Sequence, residues 1–263
     1  MPKDSGTHGA RALVTGAGGG LGRQIAIDLA MRGVDVAVAD LNEKGVDETI
    51  ALCASSKARL LPVIGDLTAD DGPENAVRKV VGAWGGLDIL VNNAGYGGIE
   101  RFLEMTAGLW DRTLAVNVKA LALMTAAAGR VMAEQKSGRI VNITSPASRM
   151  ALPNYTAYAA SKAAVDSITR SAAITLAPLG VTVNSVAPGM MDTEMQRSTE
   201  AVLARLEGRN DVDAFLDERT RRVPIGRRAE ITEVSATVIW LALDAPAYIT
   251  AERLNASGGL DRD

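Results

Sequence analysis

The sequence predicts an α/β fold: a single Rossmann-like, doubly wound domain whose seven-stranded parallel sheet carries helices on both faces. Three observations predict it. Short runs rich in Val, Ile and Leu alternate with longer segments of helical period, the pattern of repeated βαβ units. Most of the short runs are apolar throughout, as strands covered on both faces are. The 26 glycines point to tight strand-to-helix turns. A chain of 263 residues can form one large α/β domain or two small ones. With no Pro/Ser-rich or charge-rich linker in it, the expectation is one domain over 1–263.

The first strand is expected at 12–15. It runs into Thr15-Gly16-Ala17-Gly18-Gly19-Gly20-Leu21-Gly22, after which a helix begins at about Leu21. Glycines there let the backbone turn sharply and let a pyrophosphate approach the amides of a helix N-terminus, where the helix dipole favours an anion. The second strand, 35–39, leads to Asp40, 18 residues after Gly22 (40 − 22). A carboxylate at that point can accept from both hydroxyls of an adenosine ribose and opposes a 2′-phosphate, so NAD is expected over NADP. Asp40 also suits a cap for the next helix, which begins at Glu43, and the two roles are compatible. Cys53, the lone cysteine, lies in that helix with no histidine near it in sequence and reads as a buried small hydrophobe. Strands at 60–64, 89–91, 139–143 and 182–186 follow, with a last one near 253–255. Helices begin near Gly72, Leu109, Thr156 and Glu230.

The segment 190–228 breaks this rhythm. It is polar and irregular, with charges throughout 200–222, and it is inserted at the carboxyl edge of the sheet, where such folds bind ligands. It reads as a substrate lid. The alternative is a solvated excursion without function.

Composition excludes several classes. A net charge of −3 gives no footprint for nucleic acid or an anionic membrane, so the expected partner is a small molecule. The longest apolar runs, such as 238–243, are far shorter than a membrane span, so no transmembrane helix is expected. Residues 1–10 lack the apolar core of a signal peptide, and a cytoplasmic location is the expectation. The one histidine, His8, lies in that leader, which leaves no histidine for a Ser-His-Asp or Cys-His centre and none for a metal site.

The chemistry centres on Tyr158-Ala159-Ala160-Ser161-Lys162, which places Tyr158 and Lys162 on one helix face. A phenol is a poor base at neutral pH, but a nearby ammonium and an oxidised nicotinamide would both favour phenolate. Tyr158 would then remove an alcohol proton. Tyr155 has Ala159 where a lysine would stand and is better placed as a pocket wall.

Thr15-Gly-x-x-x-Gly-x-Gly22, Asn92-Asn93-Ala94-Gly95, Asn117, Ser145 and Tyr158-x-x-x-Lys162, occurring in this order, resemble the short-chain dehydrogenase/reductase superfamily. The resemblance runs from about Arg11 to Leu260. It implies NAD(P) at the carboxyl ends of the strands, with Gly16, Gly20, Leu21 and Gly22 at the pyrophosphate. It further implies Asp66 and Leu67 near the adenine, Asn93 and Gly95 beneath the adenosine ribose, and Pro188, Gly189 and Thr193 at the carboxamide. Ser145 would orient the substrate oxygen, Lys162 would hold the nicotinamide ribose, and Asn117 would hold a water joining Lys162 to solvent. A homotetramer is implied as well, paired through the small-residue helices 115–132 and 158–176. The chain departs from the pattern at Pro146-Ala147-Ser148, where a glycine is frequent, and at Ser257-Gly258-Gly259, where Asp-Gly-Gly is commoner.

The functional expectation is hydride transfer between NAD and a secondary alcohol, with a polyol or sugar alcohol preferred. That preference rests on the resemblance of 199–228 to sorbitol and galactitol dehydrogenases and on Ser148, Asn154, Tyr155, Tyr96 and Glu194 as hydrogen-bonding groups. Met190, Met191 and Met195 would instead favour a bulkier alcohol or ketone. A 3-ketoacyl-thioester reductase is the main alternative, against which Asp40 argues. The pairs Arg221-Arg222 and Arg227-Arg228 would serve it as a carrier-protein dock, or else are ordinary surface charge on the lid. A non-catalytic NAD-binding regulator is a third reading.

Overall fold

The computed structural model describes residues 9–260, so His8 and the rest of the expected leader lie outside the described residues. Seven strands form one sheet: β1 Arg11–Thr15, β2 Asp35–Asp40, β3 Leu60–Ile64, β4 Ile89–Asn92, β5 Gly138–Ile143, β6 Val181–Pro188 and β7 Arg253–Ala256. All pairs are parallel and the order is β3-β2-β1-β4-β5-β6-β7. The expected strands agree with these to within two residues at each end.

Alternation along each strand builds two cores. One face of the sheet presents Val14, Val36, Val38 and Val91 to Ile25 and Leu29 of α1 (Gly20–Met31), with Val234 and Val238 of a late helix covering the β5–β7 end. The other presents Leu13, Ala37, Leu90 and Ile140 to Val77 and Val80, then to Met124, Ala128 and Met132. Neighbouring residues of one strand point to opposite faces, and both faces are dry.

The remaining helices are α2 Glu43–Leu52, α3 Gly72–Trp84, α4 Ala107–Leu114, α5 Leu121–Gln135, α6 Thr156–Leu176, α7 Glu194–Leu206, α8 Val212–Arg221 and α9 Ile231–Ile239. The helix expected from Leu109 starts two residues earlier, capped by the Thr106 hydroxyl on the Leu109 amide, and continues into α5 through a π-helical stretch at Ala115–Ala120. Together they make one 29-residue run, Ala107–Gln135, long and apolar enough by length and composition to cross a bilayer. A core helix meets the same criteria of length and composition, so the expectation of no transmembrane helix is not overturned by this run. The short runs of the sequence hid it, because polar residues divide one continuous helix into pieces. Its inner face is spent on the sheet core, where Met124, Ala128 and Met132 are fully buried.

Segment 190–228 is largely helical, against the expectation of irregular chain. Thr193 caps α7 by accepting from the Gln196 amide, and Asp211 caps α8 by accepting from the Ala214 amide. The two helices bury Leu203, Ala204 and Phe215 against Ile99, a third small core apart from the sheet. Dense charge on the outer faces hid this stripe in the sequence.

Candidate active site

The strand order reverses between β1 and β4, and the loops that follow them diverge there, opening a crevice at the carboxyl edge. Thr15 holds its floor: its hydroxyl oxygen accepts from the Asn93 and Ala94 amides, each at 3.0 Å. Gly16 has φ +63°, and a Cβ there would stand 2.9 Å from the Ala94 Cα. At Gly22 a Cβ would meet the Gly16 carbonyl at 2.2 Å, so the helix can approach the turn only through glycine. The N-terminus of α1 has no side-chain cap and no acidic residue in its first turn, and Gly20 and Leu21 line the cleft beside it. Uncapped amides in this position fit a pyrophosphate.

Asp40 stands at the end of β2 and faces the same cleft. One of its oxygens accepts from the Gly18 amide and the other from the Asn42 amide, both at 2.9 Å. Capping of α2 falls to Asn42, which accepts from the Gly45 amide. The carboxylate thus orders the glycine turn and keeps lone pairs for ribose hydroxyls. Asp66 and Leu67 line this end too; the Thr68 hydroxyl and amide bond Asp66 and hold its carboxyl below the usual range. Gly95, Pro188, Gly189 and Thr193 also line the cleft. Asn93 reaches it, yet both protons of its amide go to the Thr15 and Gly16 carbonyls, at 3.0 and 3.1 Å. Its side chain braces the glycine turn from below.

Tyr158, Lys162 and Ser145 converge on the inner end of the cleft. The Lys162 ammonium lies 5.7 Å from the centre of the Tyr158 ring and donates to the Ile143 carbonyl at 2.8 Å. Burial lowers the Lys162 pKa to about 8, against an opposing pull from Asp166. Burial also raises Tyr158 above its ordinary value, while Ser145 counters by donating to the phenol oxygen. In the protein alone desolvation of the phenol dominates; the expected phenolate joins Lys162 with an oxidised nicotinamide. Any net lowering must come from a further positive charge.

Asn117 lies in the π-helical stretch and is fully buried. Its Oδ1 accepts from the Tyr96 amide at 2.7 Å, and its Nδ2 donates to the Tyr96 carbonyl at 3.0 Å and to Ser161 Oγ at 2.9 Å. It ties the segment after β4 to α6. The wider π turn places this amide where a regular helix would not, a geometry frequent at functional sites.

Behind Ser145 lies a buried charged cluster that no motif announced. Arg253 of β7 donates to the Ser145 carbonyl at 3.0 Å and pairs with Asp166 of α6, Nε to Oδ2, at 3.4 Å. Asp166 also accepts from Ser148 Oγ at 2.6 Å. Ser148 is thereby turned away from the cleft, and Asn154 is absent from its wall; the Asn154 carbonyl receives the Glu100 amide. Two of the five polar groups expected to meet substrate are therefore engaged elsewhere. Tyr96, Tyr155, Glu194 and all three of Met190, Met191 and Met195 do line it, joined by Met150, Leu152, Arg112 and Arg219.

The cleft measures about 770 Å³, within the range of small-molecule and cofactor sites. Segment 190–228 leans on Glu200, a carboxylate only 1% exposed. Arg228 grips it with two nitrogens at 3.0 and 3.1 Å, and Gln196 donates at 2.9 Å. Arg227 pairs with Glu233 and Arg222 with Glu218, so three of the four expected basic residues are engaged in ion pairs. Ser257-Gly258-Gly259 packs under the end of segment 190–228, where the Ile225 amide donates to the Gly258 carbonyl at 3.1 Å. Cys53 is buried, which raises its thiol pKa. Among the described residues no group of His, Cys, Asp or Glu could hold a metal ion.

Comparison with known proteins agrees with this geometry. The family model described as Enoyl-(Acyl carrier protein) reductase matches residues 16–261. An uncharacterised oxidoreductase of Thermotoga maritima is 35% identical over 96% of this chain and 97% of its own. Among solved structures, NAD⁺-bound xylitol dehydrogenase superposes with a TM-score of 0.93 at 31% identity, covering 96% of this chain and 99% of that one. Actinorhodin polyketide ketoreductase with NADPH gives 0.92 at 32%, covering 97% and 98%. The chain belongs to the short-chain dehydrogenase/reductase superfamily of oxidoreductases, which bind a nicotinamide cofactor.

Proposed function

We propose that this protein interconverts a secondary alcohol and its ketone with NAD, Tyr158 serving as acid and base. The observation that carries the reading is the convergence of Tyr158, Ser145 and Lys162 in one cleft with an uncapped helix N-terminus. Ser145 holds the phenol oxygen and would hold the reacting oxygen beside it. Lys162 supplies positive charge to the phenol and donors for ribose hydroxyls. Asn117 fixes the Tyr96 backbone that forms the cleft floor, and it would fix a water path to Lys162. When bound, the cofactor supplies the hydride and, oxidised, a positive charge that offsets the desolvation of the phenol. Asp40 supports NAD: its carboxylate opposes a 2′-phosphate, and Gly19 beside it offers no cation.

The cleft wall favours a bulky, partly apolar substrate over a small polyol. Four methionines and Leu152 line it, and methionine adapts to varied shapes. The likeness to xylitol dehydrogenase supports the polyol as second reading. Carrier-protein docking through Arg222, Arg227 and Arg228 is disfavoured because each is held by a carboxylate. Cytoplasmic location and a homotetramer remain part of this proposal.

The test is a panel of polyols, aliphatic secondary alcohols and aryl alcohols with NAD⁺ and NADP⁺, and of the matching ketones with the reduced cofactors, followed at the nicotinamide absorbance. Oxidation of aliphatic or aryl alcohols in preference to polyols, with NAD⁺ preferred, supports the reading. Tyr158→Phe should bind NADH almost normally and lose about a thousandfold or more in turnover. Turnover within about tenfold of the parent would remove Tyr158 as the base.

A further inference from the structure

We propose that the substrate carries a carboxylate as well as the reacting hydroxyl or carbonyl, and that Arg112 and Arg219 receive it. The inference rests on the redox reading above and narrows its substrate class. Its ground is the charge left over at the inner end of the cleft.

Two arginines and one acid meet at Glu200. Arg228 engages both carboxylate oxygens, at 3.0 and 3.1 Å, and neutralises it. Arg219 is ion-paired with the same group through Nε at 3.4 Å, so two guanidiniums share one carboxylate and the cluster keeps a net positive charge. Arg219 is near enough to Tyr155 to oppose the rise that burial gives its phenol pKa, and the Tyr155 ring stands 6.3 Å from that of Tyr158. This guanidinium is therefore one aromatic residue away from the proposed base.

Arg112 lines the same cleft. Its guanidinium rests over the Tyr96 ring at 4.4 Å, and it makes no ion pair among the described residues. The Tyr96 backbone is held by Asn117, which places this cation beside the Lys162 end of the site. Of the other charged groups on this part of the wall, Arg222 is paired with Glu218, and Glu194 is exposed on the first turn of α7, near Arg197. A planar guanidinium on an aromatic face keeps its edge donors available, and those donors match a carboxylate in fork geometry. The methionines that line the same cleft suit the carbon chain that would join the two polar ends of a hydroxy or keto acid.

The experiment compares secondary hydroxy acids of butyl to octyl length with their own carboxamides, which keep size and polarity and lose the charge. Rates with NAD⁺ give kcat/KM for each pair, and NADH affinity is read separately by fluorescence. The parent should prefer the best acid over its amide by about tenfold or more. Arg112→Gln should collapse that ratio toward one, with NADH affinity kept. Arg219 also supports Tyr155 and Glu200, so two variants are compared there: Arg219→Lys should retain the preference and Arg219→Met should lose it. Equal rates for acids and amides in the parent overturn the carboxylate while leaving the redox reading intact. Loss of NADH affinity in Arg112→Gln with an unchanged ratio assigns Arg112 to the cofactor and also overturns it. NADH binding without turnover of any alcohol or ketone overturns the redox reading itself.

Discussion

Arg253 and Asp166 form a buried ion pair at 3.4 Å, the arginine bonded to the Ser145 carbonyl and the aspartate one helical turn beyond Lys162. Both are less than a tenth exposed, so the attraction between them is weakly screened. The pair couples the backbone of the serine to the electrostatics of the lysine. Asp166→Asn removes the negative charge that holds the Lys162 pKa up, so the lysine should titrate below about 8. The alkaline limb of kcat against pH should move to lower pH, while NADH affinity changes little. Arg253→Met leaves Asp166 as an unpaired buried charge and should destabilise by about 3 kcal/mol. The double variant should recover part of that in chemical denaturation. An unmoved pH profile in Asp166→Asn would leave the pair a structural element only.

Lys162 also predicts a stability signature. Its folded pKa of about 8 lies below the ordinary 10.5, so the folded state binds fewer protons than the unfolded state across that interval. Stability contributed by this group therefore rises with pH from about 8 to 10.5, and the penalty for a buried ammonium is fully present below 8. The upper bound is about 3 kcal/mol. Lys162→Met has no such group. The difference in unfolding free energy between parent and variant should shift toward the parent over that interval, as read by urea denaturation at a series of pH values.

Asp40 has two duties, and its variants should reveal both. Replacing it with Ser and Leu41 with Arg should move cofactor preference toward NADP. The same change removes the acceptor for the Gly18 and Asn42 amides. NAD affinity should therefore fall by about tenfold or more, beyond the effect of lost ribose bonds. Kd values for NADH and NADPH, measured by fluorescence on parent, single and double variants, separate the two. A parent that already prefers NADPH contradicts the reading of Asp40.

Helices α5 and α6 expose Leu123 and Ile174 among small residues, which supports their pairing across a two-fold axis. Light scattering at micromolar concentration should give the mass of four chains. Leu123→Asp and Ile174→Asp should lower it. A monomeric parent would reject the assembly.

Strand positions, the glycine turn and the Tyr158/Lys162 pair were legible in the sequence because each is local. A strand or helix declares itself by its apolar period within some ten residues, and a turn by residues that fit it. The ordered motifs contribute residues that line the cleft, and Cys53 is buried as its local sequence implies. Other features needed the fold. Ser148 could face substrate or Asp166, and only the packing of β5 against α6 turns it to Asp166. Asn92, Asn142 and Thr169 form a buried hydrogen-bonded chain across β4, β5 and α6, which in sequence is three scattered polar residues.

Segment 190–228 shows the same division. Its caps at Thr193 and Asp211 are local, but the stripe of Leu203, Ala204 and Phe215 is meaningful only once Ile99 is beneath it. Asn117 is recognisable in the sequence, whereas its partners Tyr96 and Ser161 are met only in the fold. Arg253 is 108 positions from Ser145, and nothing near either residue encodes their meeting. The sequence by itself determined where the sheet strands and the glycine turn lie and which residues form the ordered motifs, since period, turn geometry and residue spacing are properties of short segments. The tertiary structure decided which partner each polar group takes, because that choice depends on the residues the sheet brings within hydrogen-bond reach.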